Sequence, residues 1–268
     1  MFSEKELDKR LSTPSKKLID DMKDIKGDIM VLGAGGKMGP TLCLLAKNAI
    51  KKAGVEKKVI AVSRFTDPTA KQFFHDNDIE TIPTDLLDQD QVSALPEVEN
   101  VIFMAGKKFG TSGNEYLTWA MNAKVPVLVA EKFKKSNIVV FSSGNIYPMV
   151  PIHSGGVTEK IKPVPVGEYA QSVLARERMF EYAAQEYGTN VFMYRLNYAV
   201  DLRYGVLYDI ASSIMEDEPI SITTPSFNCI WQGDANEIAI RALLHADSPA
   251  VKVNVTGPET VSVRKAAN

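Results

Sequence analysis

The feature that most constrains the fold is a glycine-rich run between an apolar strand and an apolar helix. The run Ile29–Leu32 leads directly into Gly33-Ala34-Gly35-Gly36-Lys37-Met38-Gly39, and apolar residues at helical spacing follow from Leu42. Gly33 permits a tight turn, Gly36 lets the backbone approach a pyrophosphate, and Gly39 lets the helix pack closely on the sheet. A turn without a ligand is the alternative, but the flanking strand and helix favour a dinucleotide site. Its predicted contacts are Gly33, Gly36, Lys37, Met38 and Gly39.

Short apolar runs alternate with longer helical segments from Asp28 onward, which predicts a parallel sheet covered by helices. The predicted strands are Ile29–Leu32, Val59–Val62, a short run around Ile82, Val101–Met104, Asn137–Ser142 and Val191–Leu196. A long helix spans 167–187 and stops at Gly188, and a second begins with Asp234 as its N-cap and runs through Leu243. We predict an α/β fold with a doubly wound, mostly parallel sheet, a Rossmann fold.

The predicted domain organisation has three parts. Residues 1–27 form a helical extension with a break near Thr13 and Pro14, and residues 28–200 form the dinucleotide-binding domain, to which 234–257 return. Residues 201–233 and 258–268 form a small, partial substrate lobe. The C-terminal segment is typical of a strand, a Gly-Pro turn and one helical turn capped near Ser262, and so short a helix is marginal. We therefore expect the natural chain to continue after Asn268.

Composition excludes several classes of protein. Lys and Arg number 31 against 33 Asp and Glu, a net charge of −2 with no basic block, which argues against a nucleic-acid partner. Two cysteines and three histidines without ligand spacing predict neither a disulfide framework nor a metal site. The sequence contains no apolar run long enough for a membrane span and no secretory signal, so we expect a cytoplasmic protein that binds a small molecule.

The end of the second predicted strand carries Ser63-Arg64, where an acidic residue would bind a ribose 2′-hydroxyl. A hydroxyl and a guanidinium suit a 2′-phosphate instead. The cofactor is therefore NADP or NAD, with NADP favoured. The alternative is that Arg64 faces solvent and binds nothing.

Further motifs follow the glycine loop in a fixed order. They are Asp85-Leu86, Met104-Ala105-Gly106, Asn122, Ser142-Ser143-Gly144-Asn145-Ile146-Tyr147-Pro148, Tyr169, Arg195-Leu196-Asn197, Gln232-Gly233-Asp234 and Val253-Asn254-Val255-Thr256-Gly257. In this order the chain resembles the extended short-chain dehydrogenase/reductase family, in its NAD-dependent epimerase/dehydratase group, over roughly residues 28–263. Arg195-Leu196-Asn197 has one residue fewer than the family's Arg-x-x-Asn.

The resemblance implies roles for individual residues. Ser143, four residues before Tyr147, matches the catalytic hydroxyl, and Tyr169 matches the acid/base tyrosine. The structural alternatives are that Ser143 is only a hydroxyl at the end of a strand and that Tyr169 is only a half-buried tyrosine of the helix. Further implied cofactor contacts are Asp85, Leu86, Ala105, Gly106, Asn122 and Asn197, and the implied substrate contacts are Asn145, Tyr147 and Tyr198.

The main departure from the family is Val173, which stands where the Tyr-x-x-x-Lys motif has its lysine. In the family that lysine holds the nicotinamide ribose and stabilises the tyrosinate. A tyrosine of pKa ~10 is only about a thousandth ionised at pH 7. Lys107 is the preferred replacement cation and Arg176 the second candidate. The alternatives are a solvated loop for Lys107 and an exposed partner of acidic neighbours such as Glu177 for Arg176.

The resemblance implies an oxidoreductase that transfers hydride to or from a sugar, a sugar nucleotide or a related hydroxy or keto compound. The alternative is a non-catalytic NAD(P)-binding protein that acts as a sensor or interaction partner. We also expect a homodimer, because the Tyr169 helix shows a second apolar face in Leu174, Met179 and Phe180, and the family pairs such helices.

Overall fold

A computed structural model describes residues 3–108, 110 and 112–268, so the first two residues of the predicted extension lie outside it. Within these residues the strands are β1 (Ile29–Leu32), β2 (Val59–Ser63), β3 (Glu80–Pro83), β4 (Asn100–Phe103), β5 (Asn137–Ser143), β6 (Val191–Leu196), β7 (Ala199–Val200), β8 (Ser226–Phe227), β9 (Ile230–Trp231), β10 (Val251–Val255) and β11 (Val261–Ser262). The α-helices are α1 (Glu4–Leu11), α2 (Lys16–Asp24), α3 (Gly39–Ala53), α4 (Pro68–Asp76), α5 (Gln89–Ser93), α6 (Glu115–Trp119), α7 (Val125–Lys132), α8 (Gly167–Tyr187), α9 (Val206–Met215), α10 (Gln232–Arg241) and α11 (Val263–Ala266).

Seven strands form one parallel sheet in the order β10-β6-β5-β4-β1-β2-β3. The chain runs outward from β1 to β3, returns to β4 beside β1, and continues to the opposite edge. This confirms the predicted doubly wound Rossmann fold. The reversal of strand order places a crevice at the carboxyl ends of β1 and β4, where ligands bind in such sheets.

Both faces of the sheet are covered by helices, and β1 shows how its sequence serves both. Ile29 and Val31 pack towards α2, α3 and α10, whereas Met30 and Leu32 pack towards α7 and α8. All four side chains are fully buried, as expected for a central parallel strand. Leu18 of α2 is also fully buried in the first of these cores, so the segment ahead of β1 shares the core of the sheet.

Local signals explain most helix ends. The Ser15 hydroxyl caps α2 by accepting a hydrogen bond from the Leu18 N–H over 3.1 Å, directly after the break at Pro14. Gly188 ends α8 with a φ of 68° in the left-handed region, and Ser262 caps α11 as predicted.

The predicted N-cap at Asp234 is wrong, because α10 already begins at Gln232, with Trp231 in the capping position. The side chain of Gln232 turns inward and donates to the Thr41 hydroxyl over 2.9 Å, which holds the start of the helix against α3. Asp234 lies in the first turn, where its carboxylate complements the helix dipole.

The C-terminal segments form a small layer beside the sheet. β7 pairs with β9, β8 pairs with β11, and Ile210, Phe227 and Val263 form their own apolar cluster. In the part of the chain that is described, no helix is long and apolar enough to cross a membrane. Nor do the described residues contain a group of three or more His, Cys, Asp or Glu side chains that could hold a metal.

The prediction that Leu174, Met179 and Phe180 form a second apolar face of α8 is wrong for Phe180. Phe180 is fully buried inside its own chain, where its ring centroid lies 5.3 Å from that of Phe103. Leu174 and Met179 remain partly accessible. The homodimer therefore stays a prediction, and the apolar surface available for it on α8 is smaller than the sequence suggested.

Candidate functional site

The glycine loop lies at the carboxyl end of β1, and its glycines serve different purposes. Gly33 has a φ of +91°, and a Cβ there would lie 2.6 Å from the Ala105 nitrogen. A Cβ at Gly39 would overlap the carbonyl of Ala34. At Gly36, by contrast, the nearest atom to an added Cβ is the Gly33 oxygen at 3.5 Å, an ordinary contact. The protein's own packing therefore requires Gly33 and Gly39, whereas Gly36 leaves its backbone open to a ligand.

The N-terminus of α3 faces this loop without a side-chain cap. Met38 stands at the capping position and makes no side-chain hydrogen bond to the helix, so the first-turn N–H groups are available to an anion. Below the loop, the Thr41 hydroxyl accepts hydrogen bonds from Gln232 and from Asn236 (3.1 Å). The Lys37 ammonium lies 4.6 Å from the ring centroid of Tyr204.

The next two strand ends carry the predicted adenosine contacts. Ser63 packs closely on the loop, since a Cβ at Gly35 would lie 2.6 Å from its hydroxyl. Arg64 is exposed and forms no ion pair or hydrogen bond with the described residues. Asp85 accepts the Leu87 N–H over 3.0 Å. Its neighbour Leu86 is buried in the core, so its side chain packs beneath the site.

Asn122 fixes the segment after β4. It is fully buried in a π-helical turn, Ala120–Lys124, a distortion often found at functional sites. Its Oδ1 accepts the Lys107 N–H over 3.0 Å and its Nδ2 donates to the Lys107 carbonyl over 3.1 Å. The backbone that follows Ala105 and Gly106 is thereby held in place, while the Lys107 ammonium has no partner among the described residues.

Arg176 is buried, so its interpretation as an exposed ion-pair residue is wrong. Nη1 donates to the Phe141 carbonyl over 2.6 Å, and Nη2 donates to Asn122 Oδ1 over 2.7 Å. Gly106 has no side chain because a Cβ there would overlap Nη2. β4 ends at Phe103, which pairs with Val140 of β5. The central carbon of the Arg176 guanidinium lies 5.4 Å from the centroid of the Phe103 ring. Burial lowers the pKa of Arg176 to about 10, although Tyr169 and Glu177 act in the opposite direction.

A cavity of about 740 Å³ opens at this edge of the sheet and is lined by several predicted site residues. Those that line it are Asn145, Tyr147, Tyr169, Asn197 and Tyr198. Tyr169 lies half-buried in the first turn of α8, and its hydroxyl has no hydrogen-bond partner in the described part of the chain. Ser143 ends β5 directly before the lining residue Gly144, and its hydroxyl accepts the Asn145 N–H over 3.2 Å.

Tyr147 belongs to a buried network that the sequence did not reveal. Its hydroxyl donates to Asn254 Oδ1 over 2.9 Å and accepts from Arg195 Nη1 over 2.6 Å. Arg195 in turn forms two hydrogen bonds, of 2.9 and 2.7 Å, with the buried carboxylate of Glu177. Burial alone would lower the pKa of Arg195. The hydrogen bonds and the negative charge of Glu177 raise it by more than burial lowers it, so the pKa of Arg195 lies above its usual range. Tyr147 thus offers its ring, not its hydroxyl, to the cavity.

Tyr198, another residue that lines the cavity, adopts a φ of 43°, which is uncommon for a residue with a side chain. The Lys108 ammonium lies 5.8 Å from its ring centroid, and the amide of the adjacent Asn197 donates to the Asn228 carbonyl over 3.3 Å. Partial desolvation, together with the charge of Lys37, lowers the pKa of Lys108. The Lys108 ammonium is therefore close both to Lys37 of the glycine loop and to Tyr198, which lines the cavity.

The family model of the NAD-dependent epimerase/dehydratase family matches residues 29–247, which include the glycine loop, the strand ends and α8. The chain belongs to this family. The motif resemblance drawn from the sequence is thereby confirmed at the level of the family.

Solved structures agree on the fold of this epimerase/dehydratase family member. Pal from Bacillus thuringiensis superposes with a TM-score of 0.75 at 17% identity, covering 90% of this chain and 81% of that one. UDP-glucuronic acid 4-epimerase from Bacillus cereus in complex with NAD gives 0.72 at 18% identity, covering 88% and 79%. UDP-glucose 4-epimerase from Thermus thermophilus in complex with NAD gives 0.71 at 20%, covering 90% and 81%. No curated protein matches the sequence.

Within this family member, the residue that the resemblance matches to the motif lysine, Val173, belongs to the core. Val173 is fully buried and packs with Ile146 and Tyr147. One residue earlier, the Ser172 hydroxyl donates to the Tyr169 carbonyl over 2.8 Å and accepts from Asn122 over 3.0 Å. Sequence reasoning missed Ser172, and it considered Glu177 only as an exposed partner of Arg176. The helical spacing of Tyr169, Ser172 and Arg176 was the available signal that these side chains share one side of α8.

Proposed function

We propose that this protein is an NAD(P)-dependent oxidoreductase of the epimerase/dehydratase type. Its substrate would be a sugar, a sugar nucleotide or a related hydroxy or keto compound. The observation that carries the proposal is the position of Tyr169, whose hydroxyl has no partner among the described residues and lies on the wall of a cavity at the ligand-binding edge of the sheet. A proton donor and acceptor in such a cavity suits acid/base assistance to a reacting hydroxyl.

The residues present fit a dinucleotide. Gly36 leaves its backbone accessible and the N-terminus of α3 has no side-chain cap, so the loop would hold the pyrophosphate. The remaining proposed contacts are Ser63 and Arg64 for the ribose or its 2′-phosphate, Asp85 and Leu86 for the adenine, and Ala105, Gly106, Asn122 and Asn197 for the nicotinamide end. When bound, the nicotinamide supplies or accepts the hydride.

The chain's own residues would transfer the proton and bind the substrate. Tyr169 takes the hydroxyl proton when a substrate alcohol is oxidised and returns it when a ketone is reduced. Ser143 hydrogen-bonds the same oxygen, and Asn145, Tyr147 and Tyr198 orient the rest of the substrate in the cavity.

A positive charge near Tyr169 would favour its ionised form in place of the missing lysine. Lys107 is the proposed catalytic cation, because its backbone is fixed by Asn122 and its ammonium has no partner among the described residues. Arg176 is the second candidate, since its buried charge interacts with Tyr169. Arg176 reaches Tyr169 through space rather than by a hydrogen bond, so we propose a positioning and electrostatic role for it.

The second candidate function is a non-catalytic NAD(P)-binding protein. The apolar, fully buried Val173 supports it, since this side chain cannot hold a ribose or stabilise a tyrosinate. Under this alternative the glycine loop binds nucleotide, and Tyr169 has no effect on any reaction.

Nucleotide binding and turnover separate these functions. The first measurement is titration with NADPH and NADH, followed by nucleotide fluorescence, on the wild type and on Arg64→Ala. We expect Arg64→Ala to weaken NADPH binding about tenfold, as for loss of one charge-assisted hydrogen bond, and to leave NADH binding unchanged. An equal loss for both nucleotides would remove Arg64 as the 2′-phosphate ligand.

Turnover is then measured at 340 nm against free sugars, UDP-sugars and secondary alcohols. Tyr169→Phe should abolish most of it, whereas Tyr182→Phe, an exposed tyrosine on the same helix, should not. Tight nucleotide binding without turnover in any form would favour the non-catalytic protein. Failure to bind either nucleotide would exclude both functions.

A further inference from the structure

The cavity around Tyr169 contains charged side chains of one sign. Glu115 and Glu168 line it, and no lysine or arginine lines it within the ranges that the structure describes. The backbone N–H groups of Glu115 itself and of Gly113 lower the pKa of Glu115, which keeps this carboxylate ionised near neutral pH. Among the lining residues, a diphosphate would meet two carboxylates and no guanidinium or ammonium group.

The N-terminus of α8 also opens into the cavity, and a helix N-terminus attracts anions. Here the protein supplies the anion itself, because Glu168 lies in the first turn of α8. Its carboxylate is held by a hydrogen bond from the Trp119 indole N–H. A substrate phosphate would therefore compete with a fixed carboxylate for this helix end.

Several of the lining side chains are large, apolar and open to solvent. Met149 is 83% exposed, Ile152 is 64% exposed and Val166 is 84% exposed, and all three line the cavity. The polar lining residues include the uncharged amides Asn197 and Asn228. Large apolar side chains grouped at a cavity mouth are typical of a site that covers an apolar part of a ligand.

Apart from Lys107, the proposed partner of Tyr169, the nearby lysines Lys37 and Lys108 lie on the cofactor side. Lys108 approaches the ring of Tyr198, and its pKa responds to the charge of Lys37, which lies within the glycine loop. These two ammonium groups are suited to the pyrophosphate proposed for that loop, and neither of them lines the cavity.

From this distribution of charge and apolar surface, we infer that the substrate is a phosphate-free, non-anionic hydroxy or keto compound with an apolar portion, and not a sugar nucleotide. The inference rests on the proposed function for the identity of the reacting group. The hydroxyl or keto group lies against Tyr169 and Ser143, and the apolar portion covers Met149 and Ile152.

The test compares two probes by isothermal titration of the full chain saturated with oxidised nucleotide. The probes are 4-phenyl-2-butanone, an uncharged apolar ketone, and UDP-glucose. We expect the ketone to bind at least tenfold more tightly than UDP-glucose. Met149→Asp should weaken ketone binding at least fivefold, whereas Tyr182→Asp, an exposed position on α8 that does not line the cavity, should leave it unchanged.

A double variant tests the charge argument. Glu115→Gln combined with Glu168→Gln should increase the affinity for UDP-glucose several-fold and leave the ketone affinity within twofold. Tighter binding of UDP-glucose than of the ketone by the wild type would overturn the inference, as would absence of ketone binding by a protein that binds nucleotide. A chain that binds neither NADPH nor NADH fails the proposed function instead, and titration of the two probes on that chain alone still decides between the substrate classes.

Discussion

Arg176 and Asn122 are joined by a hydrogen bond of 2.7 Å from Nη2 to Oδ1, and this bond connects α8 to the segment after β4. The same Asn122 oxygen accepts the Lys107 N–H, so one amide holds a buried cation and the backbone of the proposed catalytic cation. We therefore expect Arg176 to influence Tyr169 by its charge and Lys107 through Asn122. Removing the guanidinium should disturb both relationships.

Arg176→Met should destabilise the protein by about 1–3 kcal/mol, because the buried Phe141 carbonyl loses a donor. It should also slow turnover, since a positive charge close to the proposed acid/base residue is lost. Turnover is measured at 340 nm as a function of pH, with Tyr169→Phe as the inactive reference. Arg176→Lys should restore much of the turnover but not all of the stability.

Arg178→Met is the matched control, because Arg178 lies on the exposed side of the same helix and pairs with Glu181. This variant should leave the turnover and its pH profile unchanged. An unaltered pH profile of turnover in Arg176→Met would show that the charge of Arg176 does not act on Tyr169, and that the residue only packs.

The glycine loop gives two substitutions with opposite outcomes. Gly36→Ala should fold with a melting temperature close to that of the wild type, because the added Cβ meets only the Gly33 oxygen at ordinary contact distance. Nucleotide affinity should nevertheless fall at least tenfold, since the Cβ blocks the approach of a pyrophosphate. Gly39→Ala should destabilise the fold by roughly 2 kcal/mol or more, because its Cβ overlaps the Ala34 carbonyl.

Thermal unfolding and NADPH fluorescence separate these effects. If Gly36→Ala bound nucleotide as tightly as the wild type, the loop would not contact a pyrophosphate at Gly36. A Gly39→Ala variant as stable as the wild type would contradict the close packing of loop and helix.

Much of the fold follows from local sequence signals. β1 and β6 begin and end where their apolar runs do, and α8 ends at Gly188 because glycine enters the left-handed region easily. The glycine loop was recognisable because its strand and helix are adjacent in the chain.

The candidate site was less predictable wherever tertiary contacts decide. Asp234 has the chemistry of an N-cap, but Gln232 contacts Thr41, and the helix begins three residues earlier than predicted, with Trp231 at the capping position. Arg176 and Phe180 both lie on a helix that is buried on more than one side, which the sequence could not assign to inside or outside. The partners of Arg176 come from β5 and from a π-helical turn, distant in sequence.

Acid should weaken the attachment to β10 of the segment from Val157, which lines the cavity, to Glu159. Glu159 accepts the Asn254 N–H over 2.7 Å, and this bond, with its own backbone N–H and the charge of Arg195, lowers the pKa of Glu159 below its ordinary value. The stabilisation is therefore fully present above the unfolded pKa of about 4.3 and is lost as the pH falls through the lower folded pKa. Glu159→Gln should remove this dependence.

The measurement is the melting temperature of the wild type and of Glu159→Gln between pH 6 and pH 3. The difference between them should shrink as the pH falls. Glu216→Gln, an exposed glutamate at the end of α9, provides the control and should show no such convergence. A constant difference for Glu159→Gln over this range would mean that its charge does not hold the segment.

The buried pair of Glu177 and Arg195 should be the most sensitive ion pair of the site. Both side chains are almost fully buried and share two hydrogen bonds, and the Ser142 hydroxyl donates to Glu177 over 2.5 Å. Removing one partner leaves an uncompensated buried charge, so Glu177→Gln and Arg195→Met should each destabilise the protein by about 3–5 kcal/mol. The double variant Glu177→Gln/Arg195→Met should lose much less stability than the sum of the two single losses, because no buried charge remains in this pair.

Urea unfolding of the wild type, the two single variants and the double variant measures the coupling. The control is Arg178→Ala, from an exposed pair, which should cost under about 1 kcal/mol of unfolding free energy. Additive losses in the double variant would show that the two charges are stabilised by other groups and not by each other.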